Sequence, residues 1–153
     1  MARMGQEMTT IIYRNGLIAG DTAIFDRGVY CGQMQKIGRA PDGTIGGGAG
    51  AVADVSQFLA WLEGGMKSEP CKIQDTNSEC IFIRPDGEIW WLGHESLPTK
   101  IEAQYLAIGS GFPIAMGALA FGADAEQAME ICADLDNRTR RPIDSLALGE
   151  VMR

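Results

Sequence analysis

Apolar positions along this chain of 153 residues change period several times, and each change predicts an element. A β-branched and aromatic run, Thr9-Thr10-Ile11-Ile12-Tyr13, meets the turn pair Asn15-Gly16 and resumes as Leu17-Ile18-Ala19-Gly20-Asp21. That is the pattern of a β-hairpin. Gly28–Cys31 and Met34–Arg39 read as extended segments. Pro41-Asp42-Gly43 is a turn: Pro presets φ, Asp caps locally and Gly takes the positive φ. From Ala51 to Glu63 the period becomes helical, with Val55, Phe58, Leu59 and Leu62 at i, i+3, i+4 and i+7, and Gly64-Gly65 ends it.

Met66–Asn77 is polar, carries a proline and predicts a loop. Cys80–Ile83 and Glu88–Leu92 flank Pro85-Asp86-Gly87 and predict a second hairpin. Tyr105–Ile108 reads as a short buried strand. Helices follow at Pro113–Phe121 and Ala125–Leu135, the second capped by Asp124, and Ile143–Leu148 supplies a last strand. The order is four strands, a helix, three strands, two helices and a strand. Hairpin-connected strands with grouped helices predict the α+β class, two antiparallel sheets packed together between helical layers.

Composition narrows the function classes. A net charge of −7 and a pI near 4.6 argue against nucleic acid, whose phosphates call for a basic face. No stretch approaches the ~18 uninterrupted apolar residues of a membrane span, and the first residues lack the apolar core of a secretory signal, so a cytoplasmic protein is expected. The basic run Arg138-Thr139-Arg140-Arg141 reads as a solvated surface. Cys31, Cys71, Cys80 and Cys132 show no C-x-x-C spacing, and one histidine, His94, is too few for an ordinary zinc site. No metal or cofactor is expected, and free thiols are.

Several motifs bear on chemistry. Gly46-Gly47-Gly48-Ala49-Gly50 has neither the phosphate-loop nor the dinucleotide form, and reads as a tight strand-to-helix turn or as a place where a backbone N–H enters a site. Ser110 lies in Gly109-Ser110-Gly111, which fails the nucleophile-elbow pattern, so a triad with His94 is disfavoured. Strand alternation puts Met34, Lys36 and Gly38 on one face. An inward Lys36 held by a carboxylate such as Asp21 would lower the pKa of a nearby hydroxyl. A hydroxyl on a chain-terminal residue needs no histidine, because the α-amine, with a free pKa of about 7.7–8, is itself a general base.

Thr9-Thr10-Ile11, Ala19-Gly20-Asp21, Lys36-Ile37-Gly38-Arg39, Ile45-Gly46-Gly47-Gly48-Ala49-Gly50 and Ala107-Ile108-Gly109-Ser110-Gly111 stand in one order. Together they resemble the β-type subunits of proteasomes, most closely the HslV-like peptidases. The resemblance implies a four-layer αββα sandwich of the N-terminal nucleophile hydrolase type over residues 9–153, preceded by an extension, residues 1–8, that is a propeptide or lies upstream of the true start. By residue it implies Thr9 as nucleophile, Asp21 and Lys36 as the charged pair beside it, Gly47 as oxyanion donor, Ser110 in the amine's hydrogen-bond network, and Asp134 as a supporting acid. It further implies a threonine peptidase acting on peptides or unfolded proteins, a homo-oligomeric ring and an ATP-dependent unfoldase partner. Other outcomes are a catalytically silent assembly protein of this type and an amidase for small molecules. The second helix usual after the glycine turn in these relatives is reduced here to the loop Met66–Asn77, and Met8 stands where self-cleaving precursors commonly have Gly.

Overall fold

In the computed structural model, which describes residues 9–149, every sheet is antiparallel. The first has the order β10-β1-β2-β11, from Tyr105–Gly109, Thr10–Arg14, Leu17–Asp21 and Ile143–Ala147. The second runs β5-β6-β7-β8-β9, from Ile37–Arg39, Ile45–Ala49, Glu79–Ile83, Ile89–Gly93 and Thr99–Ile101. A two-stranded ribbon pairs β3 (Ala23–Asp26) with β4 (Val29–Gln33). The helices are α1 (Val52–Glu63), α2 (Phe112–Ala120) and α3 (Ala125–Leu135). The fold is mixed α+β, and no helix among the described residues is long and apolar enough to cross a membrane.

Strand alternation explains how β1 is buried on both faces. Ile11 and Tyr13 join Ile18, Ile37, Ile45, Ile81, Ile83 and Ile108 in one cluster contributed by both sheets. Ile12, between them, points the other way and packs with Leu119, Ala128, Met129 and Cys132 from α2 and α3. A third cluster joins Val55, Phe58, Leu59 and Leu62 of α1 to Cys80, Phe82 and Leu92 of the second sheet. Each such fully buried aliphatic contributes about 1.5–3 kcal/mol relative to exposure.

The glycine run is a strand rather than the turn its composition suggests. All five residues of β6 are buried, paired with β5 on one side and β7 on the other. A Cβ on Gly47 would lie 2.8 Å from Ile37 Cγ2 and 3.2 Å from Ile11 Cγ2, so the missing side chain lets the two sheets close on those isoleucines.

The predicted hairpins, α1, the loop over Met66–Asn77 and the last strand are all present. Asp124 caps α3 in a capping box, its side chain accepting from Gln127 N–H at 2.7 Å while Gln127 Oε1 accepts from Asp124 N–H at 2.9 Å. Besides β6, two strands lack a sequence signal: β3 is four residues of a ribbon, and β9 is a three-residue edge paired to β8. Segments that short show too few alternations to register. Met34–Lys36, read as extended with β5, precedes the ladder and is irregular.

Candidate active site

Thr9 sits just before β1, and its place is fixed from downstream. Its carbonyl accepts from Ser110 N–H at 2.8 Å. Gly109, at φ +99°, permits that approach: a Cβ there would fall 1.6 Å from Thr9 O, so residue 109 can only be glycine. The register Ile11↔Gly20 sets the start of β1 beside the end of β2, where Thr10 N–H donates to Asp21 Oδ1 at 3.2 Å.

Lys36 enters this corner from the segment ahead of β5 and is 4% exposed. Its ammonium donates to Thr9 Oγ1 at 2.5 Å, to Asp21 Oδ1 at 3.2 Å and to the carbonyl of Ala23. Asp21 Oδ2 accepts from Arg140 N–H at 3.2 Å. Burial pulls Lys36 below its usual value of 10.5, opposed by Asp21. Burial likewise pushes Asp21 above 3.8, opposed by Lys36 and the N–H groups of Thr10 and Arg140. Three acceptors for three ammonium hydrogens are nonetheless the geometry of a charged lysine. Such a cation on a hydroxyl oxygen favours the alkoxide and strengthens it as a nucleophile.

A chain of hydroxyls runs from Thr10 to the acid at the end of α3. Thr139 Oγ1 donates to Asp136 Oδ2 at 2.6 Å, and Ser110 Oγ donates to the same oxygen at 2.8 Å. Because Thr139 has one proton and gives it to Asp136, the 2.8 Å contact between the Thr10 and Thr139 hydroxyls has Thr10 as donor. Thr10 Oγ1 in turn accepts from Gly111 N–H at 3.0 Å. Every polar hydrogen along this path has a single direction, ending on Asp136.

Thr9, Asp21, Lys36 and Ser110 are therefore brought to one place. Gly47 and Asp134 are not. Gly47 lies inside β6, where a Cβ would meet Ile37, the Lys36 carbonyl and Ile11. Gly48 N–H donates to Lys36 O at 3.1 Å, so alternation turns the N–H of Gly47 toward β7 and that of Gly50 back toward Lys36. Gly50 also shares a cleft with Thr9, Lys36, Ala23, Met34 and Val55, about 10 Å3 in volume, room for roughly one water molecule. Asp134 is exposed on α3 and pairs with Arg141 at 2.9 Å; two residues later the chain leaves the helix, and Asp136 turns in to Ser110. Gly50 and Asp136, rather than Gly47 and Asp134, are the residues that the structure places beside the Thr9 cleft and Ser110.

The roomier cavities lie elsewhere, about 730 Å3 beside Arg39 and Glu63 and about 720 Å3 beside Cys71 and His94. His94 bonds Ile73 O at 3.0 Å and takes no part in the Thr9 corner. All four cysteines are free, and the described residues hold no cluster of metal-ligating side chains.

The chain shares its fold with BPH of Thiobacillus denitrificans. The structure of BPH in complex with epoxomicin matches with a TM-score of 0.62 at 19% identity, over 94% of this chain and 100% of that one. A second BPH structure gives a TM-score of 0.62 at 17% identity, over 93% and 98% of the two chains. No family model matches the chain, and no curated protein does. At these identities the likeness is one of fold, a long run of shared backbone with most side chains replaced.

Asp136, Thr139 and Thr10 carry a faint signal in the sequence. Asp136 and Thr139 are spaced i, i+3 just after a helix, the arrangement in which an Asp caps a turn, and Thr139 N–H does bond Asp136 O at 3.2 Å.

Proposed function

We propose that this chain is a threonine hydrolase of the N-terminal nucleophile type, cleaving peptide bonds with Thr9 once the Thr9 α-amine is free. The observation that carries this reading is the Lys36 ammonium, anchored by Asp21, donating to Thr9 Oγ1 at 2.5 Å. The fold shared with BPH, a protein solved with epoxomicin bound, supports it. So do the three clusters, which fit a four-layer αββα arrangement with α1 outside one sheet and α2 and α3 outside the other.

The steps follow from the groups present. Thr9 Oγ attacks the scissile carbonyl while its proton passes to the Thr9 amine, and Lys36 stabilises the developing alkoxide. The tetrahedral oxyanion is held by the N–H of Gly50. The amine then protonates the leaving nitrogen, the C–N bond breaks and an ester remains on Thr9. Water, deprotonated by the same amine, hydrolyses the ester and restores the site. On this reading Ser110 Oγ, which donates to Asp136 Oδ2, accepts from the freed amine and orients it.

An acylated nitrogen is not basic, so the form with Met8 attached to Thr9 is inactive on this reading. Residues 1–8 lie outside the described residues; a start at Met8 followed by methionine removal would expose the amine. The substrate would be a peptide or an unfolded chain, with assembly into a ring and an ATP-driven unfoldase as the larger setting.

Labelling decides the matter. Protein verified by mass to begin at Thr9 should gain one equivalent of a peptide epoxyketone on Thr9, and Thr9→Ala should abolish labelling and hydrolysis with the fold intact. Full activity of Thr9→Ala overturns the mechanism. A second reading, a silent assembly protein, is favoured by the 2% exposure of Thr9 and the one-water cleft; absence of any adduct on the trimmed protein would support it.

A further inference from the structure

The basic run at the end of the molecule divides its work. Arg141 lies on the outside, pairing with Glu130 at 2.6 Å and Asp134 at 2.9 Å. Arg140 faces the ribbon instead. Its guanidinium carbon is 4.8 Å from the centre of the Tyr30 ring and 5.5 Å from that of Phe25. Those rings pack edge to face, 5.9 Å apart at 74°, one from each strand of the β3–β4 ribbon. Its backbone N–H meanwhile donates to Asp21 Oδ2 at 3.2 Å.

One residue thus touches the ribbon with its side chain and the charged pair with its backbone. The base of the same ribbon supplies two more ties. Ala23 O accepts from Lys36 Nζ, and Thr22 Oγ1 donates to Pro142 O at 2.8 Å. A shift of the ribbon would therefore pull on Lys36 through Ala23 and on Asp21 through Arg140.

We propose that Arg140 is a positioning residue: its guanidinium grips Tyr30 and Phe25, which keeps its own N–H on Asp21 and ties the place of the β3–β4 ribbon to the alignment of Lys36 with Thr9. A cation over an aromatic face, rather than simple apolar cover, holds the contact, because Arg140 is exposed and brings a full charge to two rings. The contact to Asp21 concerns the carboxylate's charged form, so loosening it makes that form less stable. The kinetic half of the inference rests on the threonine reading above; the titration half does not.

The test uses Arg140→Met, which keeps length and loses the cation, and Tyr30→Leu, which keeps apolar bulk and loses the ring face. Tyr30→Phe keeps the face and serves as the rescue. In the full chain, the Asp21 carboxyl followed by carbon NMR should titrate about 0.5 pH higher in Arg140→Met and Tyr30→Leu, and at the wild-type pH in Tyr30→Phe. In protein trimmed to Thr9, the rate of epoxyketone labelling should fall about tenfold in the first two variants and stay within about twofold of wild type in the third. Identical Asp21 titrations in all four proteins overturn the proposal. A shifted titration with unchanged labelling overturns its link to Thr9. Wild-type protein that never labels refutes the threonine reading, and the titrations then decide the positioning alone.

Discussion

Lys36 Nζ stands 3.2 Å from Asp21 Oδ1, and the two side chains are 5% and 0% exposed. An ion pair that deep is not there chiefly to stabilise the fold. Desolvation of two charges offsets most of their attraction, whereas removing one partner strands the other. Lys36→Met alone should therefore cost about 3–5 kcal/mol, and Asp21→Asn combined with Lys36→Met should recover most of it while remaining inactive. Urea unfolding of the three proteins checks this. A single variant as stable as wild type would show that the charge is solvated after all.

The same burial gives a pH dependence with a definite sign. Asp21 titrates above 3.8 in the folded chain, so its contribution to stability is fully present below 3.8 and is lost as pH rises through the folded value. Lys36 titrates below 10.5, so its contribution is present above 10.5 and is lost as pH falls through the folded value. When both groups are charged, each is in its penalised state. Measured against the Asp21→Asn/Lys36→Met protein, the wild type should gain ground as pH is lowered toward 3.8 and as it is raised toward 10.5. A stability difference that is flat with pH would contradict the buried placement.

Two acids two residues apart should behave as strangers. Asp136→Asn removes the charge that holds Ser110 and Thr139, and should cut turnover roughly a hundredfold. Asp134→Asn touches only an exposed arginine pair and should leave turnover unchanged. Equal losses from both would restore Asp134 to the site.

Thiol chemistry should follow burial. Cys31 is exposed and should alkylate at once, with Cys71, half-buried and shifted upward by burial, following slowly. Cys132 is pushed up to about 12, first by burial and then by Asp136 and Asp21, and Cys80 is raised well above 9.0 by burial. Both should resist iodoacetamide until the chain unfolds, read by peptide mass. Because the Cys132 value is raised, its contribution to stability is present below 9.0 and lost as pH climbs toward 12.

How much of this was legible before the structure depends on how local each signal is. The hairpin of β1 and β2 could be read from Asn15-Gly16 between two apolar runs, because turn chemistry and alternation act within a few residues. Gly50 could not be told from Gly47, since whether β6 ends before or after Ala49 depends on its pairing with β7, thirty residues on. Asp136 was hidden for a related reason. Helical periodicity continues through Asp134, and only the extended C-cap geometry of Asp136, at φ −98° and ψ 125°, turns that residue inward. The ribbon's role was invisible, because a guanidinium over two rings has no spacing rule.

Among the described residues, three ties hold Thr9, and all come from residues that follow it. Its carbonyl is held by Ser110, its hydroxyl by Lys36, and the next N–H by Asp21, so none of these ties uses the Thr9 nitrogen. Trimming the chain to Thr9 would then leave all three ties in place, so a preparation in which they are intact could still be a mixture of molecules with and without a free Thr9 amine. Counting free α-amines on threonine, rather than assaying bulk protein, is the way to know how much of a preparation can test the threonine reading.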